Sequence, residues 1–119
     1  MKAIEIYEKA LRMLGYIYED GSYDDSLNLK ALGILNAIYA DLYFLKNESG
    51  FSPLKALNDV PLLSERILND VMPYGVAMQL ALSVGDGLNN QIFTTIYNAK
   101  RCSVLTIDTK SDVIPSIEG

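Results

Sequence analysis

The chain has no histidine and no tryptophan, and its only cysteine is Cys102. Each absence removes a class of chemistry. Without histidine there is no serine–histidine triad and no imidazole general base. A zinc site needs a cluster of thiolates and imidazoles, and that cluster is missing. A lone cysteine also forbids an internal disulfide, which suits a reducing compartment. Cys102 itself reads as a small residue at a helix end, with no base to activate it. Positive charge is short as well: ten basic residues face fifteen acidic ones, for a formal net charge of −5. Binding to nucleic acid through its phosphates needs a basic face, and Lys100-Arg101 is the only adjacent basic pair. The longest uncharged run, Val71 to Gly85, contains Pro73, Gly75, Gln79 and Ser83. It falls short of the roughly 20 apolar residues a membrane span requires.

What remains is apolar and helical in pattern. Hydrophobic residues make up 50% of the chain and charged ones 21%, a globular rather than a disordered composition. At 119 residues the chain fits one domain, long enough to bury roughly 65% of the surface of its unfolded form. The opening MKAIEIYEKALRML is amphipathic with early acids and lacks the apolar core of a signal peptide. The expectation is a soluble intracellular protein.

Ile4, Tyr7, Leu11 and Leu14 recur at helical spacing and predict a first helix over 3–14, stopped by Gly15. A loop follows, YIYEDGSYDD, mixing tyrosines with acids. Ser26 or Asp25 can cap a second helix over about 26–46, apolar around most of its girth. Pro53 and Pro61 predict an extended or turned linker over 51–63. Ser64 can cap a short helix to about Val71, and Pro73 restarts a third substantial helix, about 73–84, that has no charged residue. Gly85 and Asp86 suit a helix stop and the next helix cap. The last helix, about 87–101, carries Leu88, Ile92, Thr95, Ile96 and Ala99 on one face and Phe93 and Tyr97 on another. The segment SVLTIDT, 103–109, shifts to a period near two and is β-branched, predicting an extended tail that must pair with 51–57 or with another subunit. The expected fold is all-α: a bundle of four to five helices over 1–102, with an extended C-terminal segment over 103–119.

No reactive constellation emerges. Gly85-Asp86-Gly87 lacks the spacing and lysine of a phosphate loop and reads as a turn. Glu19, Asp20, Asp24 and Asp25 do not match the alternating ligands of a calcium loop and read as solvated. Tyr16, Tyr18 and Tyr23 can either pack onto the bundle or form a contact surface. Asn36 and Asp41, within an apolar helix, read as polar groups satisfied by neighbours. No catalytic, cofactor or metal residue is assigned. The apolar girth of the second and third helices, with few other helices to cover them, instead favours self-association over the alternative of a tightly packed monomer.

ALRMLG, ALGILNAIYADL, PLKALNDVPLLSERILNDV and MPYGVAMQLALSVGDGLNNQIFTTIYNAKR follow one another along the chain. In that order and length the sequence resembles the head–tail connector (adaptor, or head-completion) proteins of tailed bacteriophages and prophages. The resemblance implies a non-enzymatic virion subunit without cofactor. It would assemble as a homo-oligomeric ring in the virion neck, between the portal protein and later neck or tail components, after assembly in the bacterial cytoplasm. DNA would pass through as cargo. Ring contacts would be heterologous, with the second or third helix against a neighbour's last helix. Phe93, Tyr97, Val104, Leu105 and Ile107 are the expected contact residues. Two other classes stay open: a prophage-encoded helical regulatory or nucleic-acid-binding protein, and a metal-dependent enzyme using the acidic loop.

Overall fold

The computed structural model describes the backbone of residues 1–118 and the side chains of residues 1–105. Among these the chain is all-helical: α1 (Ala3–Leu14), a 3-10 turn (Asp25–Leu29), α2 (Ala31–Tyr43), α3 (Glu65–Asp70), α4 (Met72–Ser83) and α5 (Gly87–Glu118).

The first helix forms as its periodicity predicts. Ile6, Tyr7, Ala10, Leu11 and Leu14 are buried on one face, each large side chain contributing on the order of 1.5–3 kcal/mol by leaving water. Its N-terminus is capped by the proline-bearing linker. The N–H groups of Ala3 and Ile4 donate to the carbonyls of Asp59 and Leu57, both at 2.8 Å, satisfying donors that a helix end leaves orphaned. Gly15, at φ 77°, closes the helix in the left-handed conformation.

The second helix is shorter than its pattern suggests. A side-chain oxygen of Asp24 accepts from the Ser26 N–H at 3.0 Å and opens a separate 3-10 turn. The Tyr7 hydroxyl then donates to the Leu27 carbonyl at 2.6 Å. In an unbroken α-helix that oxygen would accept from residue 31; here it also accepts the Lys30 N–H at 3.3 Å, the shorter-range bond of a 3-10 turn, and the tyrosine ties that turn to α1. Lys30 is the joint, and α2 ends at Tyr43 rather than near 46.

Helix α4 is the hub, packed against α1, α2, α3 and α5. Most of its uncharged girth is covered inside the subunit, where Met72, Val76, Ala77, Leu80 and Ala81 are buried, while Leu82 near its end stays exposed. Pro73 sits in the first turn, where its missing N–H costs nothing. Gly75 lets three helices meet. A Cβ there would lie 2.7 Å from Tyr97 Cε1 of α5 and 2.8 Å from Ile38 Cγ2 of α2.

The extended tail expected from residue 103 is helical instead, as α5 runs unbroken to Glu118. Val104 explains the switch in part, being 1% exposed and packed in the core. β-branched residues cost only tenths of a kcal/mol each in a helix, whereas an unpaired strand leaves its backbone without partners. The expected pairing segment is already engaged. Asn36 bonds both the N–H and the carbonyl of Leu54, at 2.7 and 2.9 Å, and Ile4 takes the Leu57 carbonyl.

Candidate functional site

Two polar clusters fasten the bundle. Asp41 of α2 receives Arg101 of α5 in a two-point ion pair, Nε at 2.7 Å and Nη2 at 2.9 Å. The buried Tyr97 hydroxyl donates to the same carboxylate at 2.7 Å. The Arg101 hydrogen bonds hold the Asp41 carboxyl below its usual range against the opposing effect of burial. Burial, then the carboxylate itself, drives the Tyr97 phenol far above its usual value. Asn36 and Asp41 are therefore the satisfied structural groups the sequence suggests.

The second cluster sits at the α4–α5 turn. Gly85 takes φ 76°, and Asp86 caps α5 by accepting from the Asn89 N–H at 3.2 Å. The Tyr16 hydroxyl donates to Asp86 at 2.6 Å. This hydrogen bond, followed by those from Asn89, holds the Asp86 carboxyl low, while burial and then Asp86 push the Tyr16 phenol to about 12. The Gly-Asp-Gly segment is a helix stop and start.

The acidic loop is internally bonded. Asp20 accepts from the Ser22 backbone at 2.9 Å and hydroxyl at 2.6 Å, and Asp24 caps the 3-10 turn. No group of three or more carboxylate, cysteine or histidine residues able to hold a metal occurs among the described residues. Of the loop tyrosines, Tyr16 bonds Asp86 and Tyr23 bonds Asn28 at 3.1 Å, while Tyr18 is 62% exposed. A shallow hollow of about 400 Å³ lies beside it, lined by Gly15, Tyr16, Tyr18, Asp24, Leu27 and Val84. Nothing in it pairs a nucleophile with a base.

Phe93, Tyr97 and Val104 face the interior at 7%, 3% and 1% exposure. They hold α5 to its own subunit and offer a neighbour almost no surface. Leu105 is exposed; the Ile107 side chain lies outside the described residues. The open apolar surface is the other face of α5, where Leu88, Ile92, Thr95, Ala99 and Cys102 are all exposed. Their four-three-four-three spacing makes one straight seam, and no residue from Gly87 to Ala99 is charged. The α2 side has a counterpart: Leu29, Gly33, Ala37 and Phe44 are exposed, with small residues in the middle. The sequence shows both faces of α5. Its aromatic face looks like a contact surface, but the larger rings gain most from the subunit's own core.

The seam is too short and polar for a bilayer, and no helix among the described residues is long and apolar enough to cross a membrane. Compared with known proteins, the chain matches no family model, no curated protein and no solved structure.

Proposed function

We propose that this chain is a non-enzymatic structural subunit that assembles with copies of itself, and that the assembly is the head–tail connector ring of a tailed bacteriophage. The observation that carries the assembly reading is the uncharged outer face of α5. A solvated helix ordinarily carries charge on its outer face, and Gly87 to Ala99 carries none. The connector identity rests on the sequence resemblance, with the portal protein above and neck or tail components below as partners.

Two observations weigh against the other classes. Lys100 is paired with Asp70 at 3.1 Å and Arg101 with Asp41, so the adjacent basic pair midway along α5 is engaged within the subunit rather than presented to phosphates. In the acidic loop, Asp20 and Asp24 accept hydrogen bonds within its own turns. The acidic balance of the chain, a net charge of −5, fits a channel that lets DNA slide rather than holds it.

Electron microscopy of the concentrated protein tests the ring, with fluorescence anisotropy on labelled duplex DNA at low salt as the companion measurement. Closed rings and no tight duplex binding are expected. Tight duplex binding by a monomer would replace this reading with the nucleic-acid-binding one.

A further inference from the structure

Three turns of the chain meet at the hollow beside Tyr18. Gly15 and Tyr16 follow α1, Asp24 and Leu27 belong to the 3-10 turn and its cap, and Val84 follows α4. The hollow combines two kinds of surface. Tyr16, Tyr18, Leu27 and Val84 give it ring and aliphatic walls, and Tyr18 and Val84 stand 62% and 44% exposed. Asp24 lines it with a carboxylate that the Ser26 N–H holds below its usual range. The surrounding loop adds Glu19, Asp20 and Asp25, while no lysine or arginine occurs between Gly15 and Leu29. Lys30, next along the chain, donates to the Ser83 carbonyl at 3.1 Å.

We infer that this hollow receives an arginine side chain presented by a basic segment of a partner protein. An arginine matches both surfaces at once. Its methylene stem covers apolar wall while the charged head stays at the wet rim. The guanidinium plane stacks on a tyrosine ring, and its fork of donors suits a carboxylate. Other occupants fit less well. A phosphate-bearing ligand would meet Asp24 and the loop acids with like charge. A free small molecule would stay largely in water, because ligand pockets enclose most of what they hold and this hollow is shallow. Copies of a chain with a net charge of −5 repel one another, whereas a basic partner is drawn in.

The walls are set within the subunit. The Tyr16 N–H donates to the Leu11 carbonyl at 3.0 Å and its hydroxyl to Asp86 at 2.6 Å. The Tyr18 N–H donates to the Ser22 carbonyl at 2.7 Å, and the Gly21 N–H returns to the Tyr18 carbonyl at 2.9 Å. Gly21 takes φ 87° to close that turn. A surface already ordered loses less entropy when a partner docks. No residue of α5 lines the hollow, so the inference stands or falls apart from the assembly proposed above.

The test is a nuclear magnetic resonance titration of the full chain with an alanine pentapeptide carrying one central arginine. Companion peptides carry citrulline, norleucine or lysine at that position; citrulline keeps the shape of arginine and loses its charge. The arginine peptide is expected to give saturable shifts at the amides of Tyr16, Tyr18, Asp24, Leu27 and Val84. A single anchor should bind with a dissociation constant of about 1 mM, and the citrulline and norleucine peptides at least about tenfold more weakly. Tyr18→Ala and Asp24→Asn should each weaken the arginine peptide by about two- to fivefold. Tyr18 is exposed, asparagine can still cap the 3-10 turn, and circular dichroism checks that both variants keep their helices. Absence of shifts at these amides, or unchanged binding in both variants, would overturn the site. Equal binding of the norleucine or lysine peptide would overturn the choice of arginine. Calcium chloride shifting the same amides at the same concentration would also overturn it, by reducing the site to a general attraction for cations.

Discussion

Asp41 shows how a single polar residue earns its place in an apolar helix. It gathers the Arg101 guanidinium and the Tyr97 hydroxyl at one point, joining α2 to α5. Both ion-pair partners are a little over one third exposed, so solvent screening trims the interaction. Asp41→Ala is expected to cost about 1–2 kcal/mol in chemical denaturation, because Tyr97 and Arg101 lose a charged acceptor. The pH dependence has a definite sign. Asp41 titrates lower in the folded chain than its unfolded value of about 3.9. Its contribution is present above that unfolded value and is lost as pH falls through the folded one. Below about pH 4 the wild type should therefore lose more stability than Asp41→Asn, which has no proton to gain there. Equal acid slopes in the two proteins would rule out this role.

Gly75 and Gly33, the helical glycines of α4 and α2, give an opposed pair of expectations. Gly75→Ala should destabilise by about 1–3 kcal/mol, since its methyl must displace Tyr97 or Ile38 from a packed core. Gly33→Ala should stabilise the isolated subunit by up to about 1 kcal/mol, through helix propensity alone. Thermal melts at low concentration read both; a loss of stability in Gly33→Ala would mean the site is constrained within the subunit after all.

At the scale of elements, the caps, stops and restarts were legible because each depends on neighbours in sequence. Ser64 caps α3 by accepting from the Ile67 N–H at 3.3 Å, Gly15 and Gly85 end helices at positive φ, and Pro73 begins α4. The break between the 3-10 turn and α2 was not legible, since no glycine or proline marks the joint at Lys30 and the Tyr7 contact that ties the turn to α1 comes from twenty residues away. The continuation of α5 was hidden for a related reason. Local β propensity at 103–107 favours a strand, and the burial of Val104 against the bundle helps turn it into helix. Val104→Ala is accordingly expected to cost about 1–2 kcal/mol of stability, where a residue in a free tail would cost nothing measurable. Urea unfolding of that variant separates the two.

At the scale of the whole molecule, the apolar surplus read from the sequence divides in two. The larger part, around α4, is absorbed by the four helices packed on it. The smaller part stays outside, on α5 at Leu88 and Ile92, near α2 at Leu29 and Phe44, in the linker at Val60 and Leu62, and at Leu82 near the end of α4. The choice between the two faces of α5 was invisible in the periodicity, because both faces are apolar and only tertiary packing decides which turns inward. Phe93 and Tyr97 take the interior, and the smaller side chains of the other face remain exposed. The central claim is that this remainder joins copies of the chain. Light scattering across a wide range of concentrations tests it most directly. A weight-average mass that rises with concentration toward a multiple of the 13.2 kDa subunit is the predicted result. A mass fixed at one subunit throughout would contradict it.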